Sequence, residues 1–291
     1  MNLTRIYTRA KINLSLDVLQ KRDDGYHEVK MIMQTLSLAD IVDVIITDTN
    51  TIELTTNLPY VPTNNKNIAY KACELFFSYT KIPFTGVKIN IYKKIPVSAG
   101  LAGGSTNASG VLIALNKLYK TNLSMSELME ISLPLGADVP YCIHGGTMLA
   151  EGIGEKLSPL PPAIPCKVIL CKPPFSVPTA GVYKEIIADK IEHRPDTEGI
   201  IDCIKNEDLA GMSKRMYNVL EDVTAKRHKE INIIKNSLLD FKPNGVLMSG
   251  SGPTVFGLFE NEKNALKAFH KLRKNYRDTY LTDISNDINN I

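Results

Sequence analysis

A glycine-rich loop between a strand pattern and a helix pattern constrains this chain more than any other feature. Residues 87–92 alternate apolar and polar side chains, as in a half-buried strand. Within residues 108–119, apolar side chains recur at the spacing of one helix face. The loop between these segments contains Gly100, Gly103 and Gly104. The sequence therefore predicts a strand, a glycine-rich loop and a helix that begins where the loop ends.

This loop is a candidate anion-binding site. The first N–H groups of a helix have no intrahelical acceptor, and the helix dipole is positive at that end. Glycine tolerates a positive φ and lets the backbone approach an anion closely. The alternative is a turn of small residues in which a serine or threonine only caps the helix. The strand-loop-helix context favours the anion site, and its residues are Pro96, Val97, Ser98, Ala99, Gly100, Leu101, Ala102, Gly103, Gly104, Ser105 and Thr106.

The composition is that of an ordinary globular protein and excludes several other classes. Hydrophobic residues make up 44% and charged residues 22% of the 291 residues, and this length suffices for two domains. The net charge of +3 comes without a block of basic residues, so no binding to nucleic acid or to a membrane is expected. The five cysteines lack metal-ligand spacing and are expected to be buried thiols. The first residues contain no apolar signal-peptide core, which predicts a cytoplasmic location of the bacterial type.

The loop from Pro96 to Thr106 resembles the phosphate loop of the GHMP kinases, a family of small-molecule kinases. It has neither the Gly-Lys-Ser/Thr of a P-loop nor the Gly-x-Gly-x-x-Gly of a dinucleotide site. The resemblance implies ATP and Mg²⁺ as cofactors, and it leaves the metal ligands unknown. Two departures from the commonest family pattern are conservative, namely Ala102 in place of glycine and Thr106 in place of serine.

Two further motifs resemble the reaction site of these kinases. Lys11 and Asn13 lie two residues apart on a predicted strand and so share a face, although a lysine there is most often a solvated edge residue. Asp138 lies in Gly-Ala-Asp-Val-Pro, where an isolated loop aspartate is usually a cap or turn former. By resemblance, Lys11 and Asp138 are the catalytic residues and Asn13 binds the substrate. The aspartate serves as the base, and a nearby Lys11 favours its ionised form.

An Asp-Gly turn followed by Tyr26 and His27 is the most discriminating stretch within the family. It resembles the branch whose substrate is a cytidine diphosphate-linked methylerythritol. A pyrimidine needs a stacking surface and hydrogen bonds to its edge, which tyrosine and histidine can supply. By resemblance, Thr179 and Tyr183 also bind the substrate, and Tyr183 closes the second face of the cytosine ring.

The nucleotide site extends, by resemblance, to Asn67 and Ile68. These residues match the family's adenine-binding loop and precede a helix predicted over residues 68–79. Lys93 and Lys94 are interpreted as two exposed lysines at the end of a strand, and a contact with nucleotide is left open. Residues 249–252 resemble a third family motif, a glycine loop that faces the phosphate loop.

These elements predict an α+β fold with two domains. Residues 1–158 are predicted to form an N-terminal α/β domain that binds ATP. Within it, residues 41–54 are predicted to form a β-hairpin. Four prolines within residues 159–165 mark the boundary. Residues 166–291 form a C-terminal ferredoxin-like α/β sandwich.

The implied reaction is transfer of the γ-phosphate of ATP to a tertiary hydroxyl of a cytidine diphosphate-linked methylerythritol, in the non-mevalonate pathway to isoprenoid precursors. The expected enzyme is a monomer or a weak homodimer. Three alternatives stay open: a homoserine or mevalonate kinase of the same superfamily, a non-catalytic nucleotide-binding regulator, and a structural module. Tyr26, His27 and Tyr183 argue against the first, Lys11 with Asp138 argues against the second, and nothing positive supports the third.

Overall fold

A computed structural model describes residues 2–287 of the chain. The strands are β1 (Leu3–Lys21), β2 (His27–Ile46), β3 (Ile52–Thr56), β4 (Val87–Tyr92), β5 (Thr147–Glu151), β6 (Lys156–Pro159), β7 (Lys167–Lys172), β8 (Gly245–Met248), β9 (Val255–Phe259) and β10 (Asp278–Asp283). The helices are α1 (Ile68–Thr80), α2 (Gly103–Tyr119), α3 (Met125–Ser132), α4 (Asp138–His144), α5 (Thr179–Glu185), α6 (Thr197–Lys205), α7 (Leu209–Arg215), α8 (Val219–Arg227), α9 (Glu230–Leu239) and α10 (Glu262–Arg273).

The first sheet is organised around β2. This strand pairs antiparallel with β1, and its other edge pairs with β4 and β5. The Asp-Gly turn joins β1 to β2, so that Lys21 lies opposite His27. The side chain of Asp24 accepts a hydrogen bond from the Tyr26 N–H at 3.0 Å, which lowers the pKa of that carboxyl. The turn therefore fixes the backbone positions of Tyr26 and His27.

The predicted hairpin over residues 41–54 is wrong, because β2 and β3 are not neighbours in the sheet. Strand β4 lies between them, antiparallel to β2 and parallel to β3. Helix α1 makes the crossover from β3 to β4, as a parallel pair requires. Periodicity identified the strands but carries no information about which strand pairs with which.

The second sheet has the order β10-β7-β9-β8 with every pair antiparallel. Its strands follow the chain as β7, a run of helices, β8, β9, α10 and β10, which is the ferredoxin-like arrangement. The predicted α+β fold is therefore confirmed. The predicted boundary at residues 159–165 falls in the connection between the last strand of the first sheet and the first strand of the second.

The two sheets share hydrophobic cores. Ile12 and Leu14 of β1 lie in one cluster with Leu170 and Phe256 of the second sheet. A separate cluster packs α1, α2 and α3 against the first sheet. Among residues 2–287, no helix combines the length and the apolar character that crossing a bilayer requires.

The end of the chain returns to the first sheet. Ile284 forms a bridge with Leu36, and the Ser285 N–H donates to the Thr35 carbonyl at 3.0 Å. The Gln34 amide donates in turn to the Ser285 carbonyl at 2.8 Å. The residues that follow β10 thus connect the second sheet to β2 by backbone and side-chain hydrogen bonds.

Candidate active site

The predicted phosphate loop leads directly into α2, the long helix packed on the first sheet. Gly100 and Ala102 have positive φ values of 74° and 56°, and the helix begins at Gly103. The N–H groups of its first turn have no intrahelical acceptor and are left for another partner. Ser105 lies in this turn, whereas the buried hydroxyl of Thr106 donates to the Arg9 carbonyl at 2.9 Å. The anion site therefore rests on backbone N–H groups and on Ser105.

The loop at residues 249–252 packs against the phosphate loop, as the third motif predicted. The Ser249 hydroxyl donates to the Gly100 carbonyl at 2.9 Å. A Cβ atom at Gly100 would lie 2.2 Å from the Ser249 carbonyl oxygen, so only glycine fits this contact. Close approach of the two backbones, as well as the positive φ, accounts for Gly100.

Helix α8 and α5 hold this second loop in place. The Asn218 amide donates to the carbonyls of Met248 and Gly250, each at 2.8 Å, and Glu221 accepts from the Met248 N–H at 2.7 Å. Thr179, at the start of α5, shares a hydrogen bond of 2.9 Å with the Ser251 hydroxyl. The predicted substrate residue Thr179 is thereby tied to the loop that packs against the predicted phosphate loop.

The structure also contains a buried ionic network below the predicted phosphate loop, which was not predicted from the sequence. Lys93 is buried, not exposed as expected, and its ammonium donates to Asp40, to the Gly103 carbonyl and to Asn107. Burial lowers the pKa of Lys93, and the charge of Asp40 opposes that shift. Because the ammonium is engaged inside the protein, Lys93 acts as an anchor for the first turn of α2. Lys94 is exposed and bonds Asp40 only through its backbone N–H.

The two adjacent glycines of the first turn face different surroundings. A Cβ atom at Gly103 would lie 3.0 Å from the Ile95 side chain and 3.1 Å from the Lys93 ammonium. A Cβ atom at Gly104 would touch only Ile68, at 3.4 Å. Gly103 is therefore required by the packing beneath the loop, and Gly104 faces the open side where α1 begins.

Asn67 and Ile68 lie at the start of α1, beside the start of α2. Asn67 is the N-cap of α1 and accepts from the Ala69 N–H at 3.0 Å, and its amide donates to the Pro62 carbonyl at 2.8 Å. The Asn67 side chain thus shapes the turn that leads into the helix. Its role in binding adenine stays a prediction.

Lys11 and Asp138 meet beside the phosphate loop. The Lys11 ammonium lies 3.7 Å from a carboxylate oxygen of Asp138 and donates to Asn13 at 2.8 Å. The Lys11 backbone N–H donates to the Leu101 carbonyl at 3.2 Å, which joins β1 to the loop. Lys11 is buried, and about a third of the Asp138 side chain is exposed, at 35%. An open carboxylate therefore sits next to a desolvated cation at the mouth of an anion site.

Asp138 belongs to a helix and not to the predicted loop. It is the first residue of α4, which follows Gly136 with its positive φ of 150°. This position directs its side chain from the start of the helix towards Lys11 and leaves Tyr141 and Cys142 buried behind it.

Two of the three predicted cytosine-binding rings lie against each other. The rings of His27 and Tyr183 are in contact, with centroids 5.4 Å apart and planes tilted by 36°. Burial, and next the charge of Asp138, raises the pKa of Tyr183. Tyr26 is 59% exposed. The structure thus brings His27 and Tyr183 together and leaves the Tyr26 ring open to a ligand.

All five cysteines lie in the described part of the chain, where they are buried, as predicted, and form no disulfide. Burial raises the pKa of the Cys73, Cys166 and Cys171 thiols to about 12. These thiols are therefore protonated and inert at neutral pH.

We expect His27 to be neutral at pH 7 and to titrate below the ordinary histidine value of about 6.5. Burial lowers its pKa, and the nearby Lys21 lowers it further. Since the unfolded chain then binds this proton more readily, the free energy of unfolding should fall as the pH drops from about 6.5 through the folded-state pKa. NMR titration of the imidazole signals, assigned with His27→Gln, measures the value directly. A titration midpoint of His27 at or above about pH 6.5 would contradict the expected lowering of its pKa.

A glycine loop at the start of a helix, with a lysine–aspartate pair beside it, defines a small-molecule kinase of the GHMP class. The sequence matches the family described as GHMP kinases N terminal domain over residues 67–146, and GHMP kinases C terminal over residues 200–278. A solved homoserine kinase from Cytophaga hutchinsonii has a TM-score of 0.78 over 99% of this chain and 96% of its own, but at 18% identity it shows the shared fold alone.

Closer relatives identify the branch. A protein of Lachnoclostridium phytofermentans named 4-diphosphocytidyl-2-C-methyl-D-erythritol kinase is 48% identical over 97% of each chain. The crystal structure of a 4-(cytidine 5'-diphospho)-2C-methyl-D-erythritol kinase has 32% identity and a TM-score of 0.83, and covers 98% of this chain and 100% of that one. The chain belongs to the 4-diphosphocytidyl-2-C-methyl-D-erythritol kinase family of GHMP kinases.

Proposed function

We propose that this kinase transfers the γ-phosphate of ATP to the tertiary hydroxyl of 4-diphosphocytidyl-2-C-methyl-D-erythritol, in the non-mevalonate pathway to isoprenoid precursors. The observation that carries the proposal is the position of Lys11 and Asp138, between the phosphate loop and the rings of His27 and Tyr183. A substrate with a cytosine ring at one end and an alcohol at the other spans this arrangement.

The protein's part in the chemistry is mainly positioning and charge neutralisation. Backbone N–H groups at the start of α2 bind the phosphates of ATP. Asp138 orients the attacking hydroxyl and accepts its proton, and Lys11 offsets negative charge on the transferred phosphoryl group. A loose transition state needs little from a base until late in the transfer, so a carboxylate at this position suffices.

The residues at the loop fit a Mg²⁺ ion carried by the nucleotide. Within the part of the chain that the structure describes, no three histidine, cysteine, aspartate or glutamate side chains cluster as a metal site. Mg²⁺ usually takes one or two carboxylates together with substrate phosphates. Asp138 and the hydroxyl of Ser105 would be its oxygen ligands from the protein, and the bound ion would neutralise charge on the phosphates.

The direct test is a substrate panel with purified protein, ATP and Mg²⁺. We expect phosphorylation of the cytidine-linked alcohol and none of homoserine or mevalonate, with CDP competing against the alcohol but not against ATP. Phosphorylation of homoserine or mevalonate instead would assign the chain to another branch of the superfamily. If the protein turned over no ATP, the remaining interpretation would be a non-catalytic nucleotide-binding regulator.

Tyr26→Ala should raise the KM for the cytidine-linked substrate substantially and leave the KM for ATP almost unchanged. Stacking contributes about 0.5–1.5 kcal/mol beyond area burial, and the buried ring face adds a transfer contribution, so the loss should be a few kcal/mol at most. Tyr26→Phe is the matched control and should be mild, because it keeps the ring. Steady-state kinetics with each substrate varied separately distinguishes the two sites. A rise in the KM for ATP instead would show that Tyr26 is not part of a cytosine site.

Other aspects of the proposal follow from the same kinase identity. We infer that the partners are small molecules, with neither nucleic acid nor membrane among them, and that the enzyme works in the cytoplasm as a monomer or a weak homodimer. Size-exclusion chromatography with light scattering measures the oligomeric state.

A further inference from the structure

The segment that follows Tyr183 is tied to the β1–β2 hairpin by an arginine. Residues 186–194, which we call the strap, connect α5 to the start of α6 and include a 3-10 turn at Ala188–Lys190. At its end, the Arg194 guanidinium donates to the Asp17 carboxylate at 2.6 Å and to the Val18 carbonyl at 3.0 Å, both on β1. It also reaches back to the Ala188 carbonyl at 2.9 Å. One side chain therefore joins the 3-10 turn of the strap to the hairpin.

This contact is partly desolvated. The Asp17 side chain is 10% exposed and the Arg194 side chain 37% exposed. A planar guanidinium that bonds a carboxylate and two carbonyls is held in orientation as well as in place. Such a contact is worth more than an exposed ion pair, because solvent screens it less.

The two ends of the contact lie close to the two ring residues. On the hairpin, Val18 is opposite Val29, two residues along β2 from His27. On the other side, the 3-10 turn begins shortly after the end of α5, the helix that carries Tyr183. Val182 and Ile186 belong to the same hydrophobic cluster as Leu16 and Val18. The Arg194 contact therefore lies between the hairpin that carries His27 and the helix that carries Tyr183.

We infer that Arg194, through Asp17, is a positioning residue for the cytosine site: it fixes α5 on the hairpin and so fixes Tyr183 relative to His27. The inference rests on the proposed function for the nature of the ligand. Arg194 acts through the strap and makes no contact with ATP or with the reacting atoms. Its loss should therefore weaken binding of the cytidine moiety and spare the phosphate loop.

The test compares Arg194→Gln and Asp17→Asn with the wild-type enzyme. We expect the Kd for CDP, measured by calorimetry, and the KM for the cytidine-linked substrate to rise roughly five- to thirtyfold. The KM for ATP and kcat at saturating substrate should change by less than about twofold. The double variant should be no worse than the more affected single variant, since both remove one interaction. Arg194→Lys, which keeps the charge, should recover part of the affinity.

Arg215→Gln is the matched control. Arg215 also donates to a carboxylate and a carbonyl, those of Asp196 and Gly211 at 3.0 and 2.9 Å, but these bonds join α7 to the start of α6 and do not reach β1. This variant should leave the Kd for CDP unchanged. If Arg215→Gln weakens CDP binding as much as Arg194→Gln does, the loss of affinity in Arg194→Gln reflects a general loosening of the C-terminal half, and the positioning role is rejected.

The outcomes separate this inference from the proposed function. If the wild-type enzyme neither binds CDP nor uses the cytidine-linked substrate, the proposed function fails. If the wild-type enzyme does both while Arg194→Gln and Asp17→Asn bind CDP normally, the strap inference alone is overturned. An equal rise in the KM for ATP overturns it as well. Failure of both Asp17→Asn and Arg194→Lys to fold would make the pair a folding determinant and also reject a positioning role.

Discussion

Asp138→Asn should lower kcat by about 10²–10⁴-fold, the range for loss of general acid–base work. Asparagine keeps the size of the side chain but cannot accept the proton of the attacking hydroxyl or offer a negative charge to Lys11, 3.7 Å away in the native enzyme. A value near the lower end would mean that orientation of the alcohol matters more than proton transfer. Single-turnover kinetics with saturating ATP and alcohol measures the chemical step.

ATP affinity measured without Mg²⁺ and the melting temperature should change little in Asp138→Asn, because the carboxylate is partly exposed and the phosphate loop is untouched. Asp189→Asn, an exposed aspartate in the strap, is the matched control and should keep normal turnover. Near-normal turnover in Asp138→Asn would remove this residue from the catalytic role.

Gly104→Val should weaken ATP binding by about 10²–10⁴-fold, the loss expected when two charge-assisted hydrogen bonds to phosphate are prevented. A side chain there points to the open side of the first turn, and it touches only Ile68. The helix should tolerate the change, because glycine is itself a poor helix former. Calorimetric titration with ATP, together with the melting temperature, gives both quantities.

Gly103→Val is the informative comparison. Its side chain would press on Ile95 and on the Lys93 ammonium, so the melting temperature should fall along with ATP affinity. A branched residue at Gly103 therefore tests the packing beneath the loop as well as anion binding. Unchanged ATP affinity in Gly104→Val would show that the loop is only a turn.

The parts of the site with a local signature could be predicted from the sequence. The helix start after Gly100 follows from loop chemistry and helix spacing, and the shared face of Lys11 and Asn13 follows from strand geometry. Ser124 and Glu127 have the spacing of a capping box, a local signature, and this capping box starts α3. The turn before Tyr26 has the residues that a tight turn requires.

Features that depend on distant partners could not be predicted. Nothing local shows that Lys93 is buried, since its carboxylate partner Asp40 lies 53 positions earlier in the chain. Helix α4 has seven residues with Pro140 in its first turn, a pattern that also suits a turn. The alternation of apolar and polar residues in β3 and β4 likewise does not reveal that these two strands pair in parallel.

The return of the chain end to β2 has a consequence for synthesis. Ser285 completes hydrogen bonds to Gln34 and Thr35, and β10 pairs with β7 at one edge of the second sheet. A nascent chain therefore exposes apolar side chains of β1 and β2 until the last strand has left the ribosome. Contacts of such long sequence separation form late and slowly, and surfaces left open meanwhile invite aggregation. Demand for chaperone protection should thus be greatest just before β10 and Ser285 emerge.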